Sequence, residues 1–253
     1  MAYGTGWSNY HAFEAHFQAQ LTHSLNVLGS YTYSKSLDVG SGYFGAENNG
    51  PGPQNLYNLA GEYGPSAFDL KQYMTIGALY DLPLGKGHPF LNKGIASKIL
   101  GGIQFNTITS ARTGVPLTVT VPGDRAEICG SLGCLFNGGY ERANVTGSST
   151  AGGKTPSHWF NTSAFSVPDL GTFGNSSRGL VRAPGAVFSD ISLFKVVHIK
   201  DWATMQFRAE AFNFVNHLNL GSPDTGVEDS NFGVISSQSG TPRQLQLGAR
   251  VEF

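Results

Sequence analysis

Apolar and polar residues alternate along seven stretches of the chain, the period expected of strands with two unlike faces. In residues 9–21 the odd positions His11, Phe13, Ala15, Phe17, Ala19 and Leu21 are mostly apolar, and the even positions include Glu14, His16, Gln18 and Gln20. Residues 25–35 alternate Leu25, Val27, Gly29, Tyr31 and Tyr33 against Asn26, Ser30, Thr32 and Ser34. Residues 70–82 carry Leu70, Met74, Ile76, Ala78, Tyr80 and Leu82 on one side, with Lys71, Thr75 and Asp81 on the other. In Ile103–Arg112, Ile103, Phe105 and Ala111 oppose Gln104, Asn106, Ser110 and Arg112. Residues 187–199 set Val187, Ile191, Leu193, Val197 and Ile199 against a mixed face. Residues 203–216 set Met205, Phe207, Ala209 and Ala211 against Thr204, Gln206, Arg208 and Glu210. Finally, in residues 243–253, Leu245, Leu247, Ala249, Val251 and Phe253 oppose Gln244, Gln246, Arg250 and Glu252. The pattern predicts an all-β chain whose strands exceed the ~5–6 residues usual in globular sheets. No segment has a convincing helical period.

The connections follow a rule of their own. Those at 22–24 and 200–202 are short, and the one at 83–98 is middling. Those at 38–67, 113–186 and 217–242 are long. Short turns on one side and long loops on the other are the habit of an antiparallel transmembrane β-barrel. If Phe253 ends in the periplasm, every long connection falls outside. The polar faces carry charge, as a wet lumen would. Aromatics gather near strand ends, where interfacial girdles belong: Tyr31, Tyr33, Tyr80, Trp202, Phe212, Phe214 and Phe253. A soluble antiparallel sandwich is the competing reading of the same alternation. Loop 113–186 is far longer than the ~12–15 residues beyond which loops are uncommon. It is expected to be an external excursion with short extra strands near residues 117–121.

Composition narrows the picture. Of 253 residues only 13% are charged and 40% are hydrophobic, with 34 Gly and 12 Pro. Aromatics at 12% exclude disorder of the whole chain. The net charge is −1 with no basic block, so nucleic acid is not an expected partner. No apolar run approaches the ~18 residues of a spanning helix, and residues 1–13 do not have the build of a signal peptide.

Several segments resemble a known family. The tail Pro242-Arg243-Gln244-Leu245-Gln246-Leu247-Gly248-Ala249-Arg250-Val251-Glu252-Phe253 resembles the last strand of a bacterial outer-membrane protein. Gln206-Phe207-Arg208-Ala209-Glu210-Ala211-Phe212-Asn213-Phe214-Val215-Asn216-His217 resembles the penultimate strand of TonB-dependent receptors, the Oar-like acidobacterial type above all. The same subgroup is matched by Tyr31-Thr32-Tyr33-Ser34-Lys35-Ser36-Leu37-Asp38, Tyr80-Asp81-Leu82-Pro83-Leu84-Gly85 and Arg112-Thr113-Gly114-Val115-Pro116. So it is by Trp159-Phe160-Asn161-Thr162-Ser163-Ala164-Phe165 and Phe173-Gly174-Asn175-Ser176-Ser177-Arg178-Gly179. The resemblance spans nearly the whole chain but only about the last third of a receptor. It implies that residues 1–253 are the C-terminal part of a barrel of about 22 strands, without its plug and signal peptide. It also implies a bacterial outer-membrane location, lipid contact, energy from the TonB complex through the missing plug, and insertion by the outer-membrane assembly machinery. Import of a large or scarce solute follows. No cofactor and no enzymatic step are expected.

Candidate residues are few. Leu245, Leu247, Ala249, Val251 and Phe253 form the expected assembly signal. Arg208, Glu210, Arg250 and Glu252 form a charge ladder facing the lumen. It is read first as a device that holds strand register and second as a set of solute ligands. A sum of 460 between paired residue numbers would set Arg208 opposite Glu252 and Glu210 opposite Arg250. It would also lay Phe212 across from Gly248. Cys129 and Cys134, in an oxidising exterior, are expected to form a small-ring disulfide, with two free thiols the alternative. Gly147 to Thr155 has one residue too many for a phosphate loop, and the scattered histidines and the sequons at Asn144, Asn161 and Asn175 carry no expectation. The alternative function is a soluble exported β-sandwich that binds carbohydrate. Deleting Phe253 from the full-length parent should sharply lower its yield in the outer membrane, and an unchanged yield in membrane fractions would remove the signal.

Overall fold

The computed structural model describes residues 6–41, 53–55, 57–128, 140–152, 154–199 and 202–253. The expected Cys129–Cys134 pair lies outside them. All seven predicted strands form: β1 (Ser8–Thr22), β2 (Leu25–Asp38), β3 (Gln72–Asp81), β4 (Ile103–Arg112), β5 (Ala186–Ile199), β6 (Ala203–Phe212) and β7 (Gln244–Glu252). They pair in sequence order as one antiparallel meander, and Gly64–Pro65 adds a short segment beside β2. The sheet does not close. β1 and β7 are its two edges.

Register decides which side chains share a face, because a slip of one residue turns a strand over. Here each pairing joins apolar set to apolar set. One row crosses the whole sheet through Ala19, Val27, Ala78, Thr107, Ile191, Ala211 and Leu245. The neighbouring row on the other face runs through Gln20, Asn26, Leu79, Asn106, Ser192, Glu210 and Gln246. On the apolar face Phe17 stands opposite Gly29, and its ring fills the space a Cβ would take. That is aromatic cover of a strand glycine.

Among the described residues no second layer covers the apolar face. Phe13 is 63% exposed, Leu245 77% and Leu247 83%. A sandwich would bury these residues, so the soluble alternative is not favoured. The buried hydrophobic cluster lies elsewhere, in the long connections: Val119, Val121, Ala143, Phe160, Ala164, Phe165 and Val181. Short strands do form in connection 113–185, at Pro116–Leu117 and Thr120–Pro122 among others. A helix that the period did not predict, α1 (Gly94–Leu100), sits in the connection between β3 and β4. Among the described residues no helix is long and apolar enough to cross a membrane.

Two expectations are corrected. β6 ends at Phe212 rather than at residue 216, because Asn213 (φ 48°) and Asn216 (φ 53°) turn the chain. The β6–β7 register sum is 456 and not 460. Thr204 faces Glu252, Gln206 faces Arg250, Arg208 faces Gly248 and Glu210 faces Gln246. With β6 ending at Phe212, a sum of 460 would leave only residues 207–212 with partners, whereas 456 pairs residues 204–212. Asn213 Nδ2 also donates to Thr241 O at 3.0 Å, and Arg243 N donates to Asn216 Oδ1 at 3.1 Å. Both bonds pin the loop end of the hairpin. With Cys129 and Cys134 replaced, a short bis-maleimide crosslinker should join F207C to A249C and fail to join F207C to F253C. The reverse result would restore the 460 register.

Candidate functional site

The three long connections meet at one end of the sheet and pack into a cap. Its core rests on three aromatic rings in edge-on contact, Phe160, Phe165 and Phe232, with centroids 5.3–6.1 Å apart. Phe232 belongs to connection 213–243 and the other two to 113–185, so the core joins separate loops. Backbone bonds do the same: Thr120 N donates to Thr225 O, Val227 N to Thr120 O, and Trp159 N to Gly233 O, each at 2.9 Å.

Three ion pairs tie the first long connection and the end of β2 to the rest of the cap. Arg142 pairs with Glu62, and both are buried. Arg178 donates to Asp38 Oδ1 at 2.8 Å and to the carbonyls of Asp38 and Glu62, each at 3.0 Å. Arg182 pairs with Asp69, whose Oδ1 accepts from Ser36 N at 2.7 Å. Burial pulls the Arg142 guanidinium below the usual arginine range, and the Glu62 carboxylate works against that. Burial likewise raises Glu141 above its ordinary value, opposed by the Ala126 N–H, which donates to both carboxylate oxygens at 3.1–3.2 Å. Two glycines allow the close passages. A Cβ on Gly114 would overlap the Ala183 carbonyl, and one on Gly174 would overlap that of Arg142.

Between the end of β2 and the cap opens a cleft of about 610 Å³. Lys35, Lys71, Lys154, Tyr33 and Trp159 line it, beside the paired Arg178 and Arg182. Among the described residues no carboxylate lies within ion-pair distance of the three lysines. Lys154 Nζ sits 5.3 Å from the centre of the Trp159 ring, a cation–π contact. Trp159 is anchored from below, its Nε1 donating to Arg182 O at 2.7 Å. This is a place for an anionic group beside an aromatic face.

The polar face of the sheet holds a shallower hollow of about 360 Å³ over Leu28, Gly77, Asn106, Asp190, Ser192 and Glu210. Arg208, Glu210, Arg250 and Glu252 all lie on this face, but charge is matched along strands rather than across them. Arg208 bonds Gln206 Oε1 at 2.8–3.0 Å and stands 5.3 Å from the centre of the Phe194 ring. Arg250 pairs with Glu252 on its own strand. Phe212 faces Gln244, and Gly248 has Arg208 across from it. Leu245, Leu247, Ala249 and Val251 lie on the uncovered apolar face, and Phe253 beyond β7 is 95% exposed. Among the described residues no cluster of His, Cys, Asp or Glu could hold a metal ion.

Sequence reasoning missed the ion pairs and the cleft. Asp38 and Arg178 each belong to a segment quoted for its resemblance, so two such segments are partners in space. No period marks that.

An open antiparallel wall, apolar and uncovered on one face, polar on the other and capped by its long loops, defines a membrane-type β-protein. The family model described as outer membrane beta barrel domain matches residues 1–246, and the chain belongs to that family. No curated protein and no solved structure matches it. Membership puts the chain in the outer membrane.

The cleft's charge can be read without knowing a ligand. In protein carrying W7F and W202F, iodide should quench Trp159 fluorescence more strongly than caesium. K35A/K71A/K154A should erase the difference. Equal quenching before the substitutions would refute a cationic cleft.

Proposed function

We propose that this chain is the C-terminal wall of a TonB-dependent receptor of the Oar-like type, which imports a large or scarce solute across the outer membrane. Strand direction carries the reading. β1 and β7 both run from the cap toward the short-turn end. They would meet parallel, so antiparallel closure requires an odd number of further strands. A large receptor barrel supplies them. In this reading the polar face lines the lumen and the apolar face meets lipid. The assembly machinery reads β7, and energy arrives from the TonB complex through a plug that is not part of residues 1–253.

The cap is the outer surface that a solute meets first. Its cleft, with three lysines and two aromatic rings, suits a solute bearing a negative group beside a flat or sugar-like face. No step of this process needs a cofactor or a chemical reaction. The test is twofold. The full-length parent should come out of membranes only with detergent and migrate compactly until boiled. In vivo crosslinking should recover TonB with it. A chain that is monodisperse and cooperatively folded in plain buffer would overturn the membrane reading. A detergent-dependent parent that never crosslinks to TonB would overturn the receptor reading alone.

A further inference from the structure

The connection between β3 and β4 has a composition unlike the rest of the chain. Residues 82–102 contain Lys86, Lys93, Lys98 and His88 and no acidic residue. The same segment leaves large apolar side chains uncovered: Phe90 at 60%, Leu91 at 47%, Ile95 at 76% and Ile99 at 59%. Of helix α1 only Ser97 is buried. A helix this short does not persist in water on its own strength, and its N-cap residue Lys93 makes no side-chain cap bond.

The segment is nevertheless held in one place. Leu84 bridges to Phe90, and Gly85 N donates to Phe90 O at 3.0 Å. Gly85 and Gly101 approach so closely that a Cβ on Gly85 would lie 2.5 Å from the Gly101 Cα. Lys195 Nζ donates to Lys98 O at 3.1 Å and to Gly101 O, fixing the C-terminal end of the helix. Lys195 pairs with Ile103 and belongs to the apolar face of β5. The end of α1 is therefore docked on the side of the sheet that meets lipid, at the short-turn end. There its apolar residues continue the uncovered face. Leu21, Trp202 and Phe253 are exposed at the same end.

We infer that α1 and its flanks form an interfacial anchor on the outside of the wall, seated in the headgroup region of the periplasmic leaflet and recognising anionic phospholipid. Ile95 and Ile99, four apart on one helix face, enter the acyl boundary with Phe90 and Leu91. Lys86, Lys93 and Lys98 meet lipid phosphates. Basic, apolar surface helices bind membranes in this way, through buried apolar area plus attraction to anionic lipid. The occupant is a lipid surface because the patch is continuous with the lipid-facing wall and carries only positive charge. The inference rests on the outer-membrane reading, and the experiment separates the two.

The full-length parent, with Cys129 and Cys134 replaced by serine, is folded into phosphatidylethanolamine vesicles with or without phosphatidylglycerol. An environment-sensitive fluorophore is placed on I95C, or on L193C in the middle of the apolar face. Lipids carrying a nitroxide high on the acyl chain serve as quencher. Both positions should be quenched several-fold relative to unlabelled lipid. Phosphatidylglycerol should strengthen the signal at I95C, and K93E/K98E should abolish that gain. If L193C is quenched and I95C stays open to aqueous iodide, the anchor is overturned and the wall stands. If neither is quenched, both readings fall. A phosphatidylglycerol effect that survives K93E/K98E would overturn the headgroup contact.

Discussion

Hydrocarbon offers a backbone N–H nothing to bond with, so a strand that crosses it must find its partners in neighbouring strands. The wall obeys this through six successive antiparallel pairings, each in a register that keeps its polar and apolar sets apart. The same constraint acts on the two edges. The free edges of β1 and β7 present unpaired groups, and the two strands run the same way. In the proposed receptor barrel, further strands complete the ladder at both edges.

The cap obeys the opposite solvent rule. It stands in water and must bury apolar area to hold its shape. The buried hydrophobic cluster therefore lies in the loops, at Val119, Val121, Phe160, Phe165 and their neighbours. Charge is buried there too, at Arg142–Glu62, where the loss of one partner would strand the other at a cost of about 3–5 kcal/mol. Such pairs join connections far apart in sequence and hold the mouth of the lysine-lined cleft. The sheet supplies a frame, and the cap brings together side chains from several loops.

The alternation of residues 9–21, 25–35 and 103–112 was enough to place strands within a few residues, because a wall with unlike solvents on its two faces enforces a strict period. The alternation of short and long connections gave the topology for the same reason. The cap was not legible. Its strands are two or three residues long, too short for any period, and its contacts join residues more than a hundred positions apart, as Arg178 joins Asp38. Helix α1 escaped because two isoleucines four apart make no pattern in seven residues. Gly114 and Gly174 sit inside segments whose family resemblance was visible, but only the packing explains them: a neighbouring carbonyl occupies the space of their missing side chains.

The final hairpin shows how such forces rank. Matching Arg208 to Glu252 and Glu210 to Arg250 would gain about 0.2–1 kcal/mol per cross-strand pair. It would also leave Thr204, Met205 and Gln206 without partners on β7. Each backbone bond so lost is worth about 1 kcal/mol in water and several where lipid excludes water. The Asn213 and Asn216 bonds to Thr241 and Arg243 would break as well. Backbone pairing and loop anchoring therefore outweigh charge. The charged side chains then settle for what the register leaves them: Glu252 takes Arg250 on its own strand, and Arg208 folds back onto Gln206 beside Phe194. Charge on a wet face is adaptable because water stands in for any missing partner. The backbone of a wall in lipid has no such substitute, and it fixes the register to which the side chains adapt.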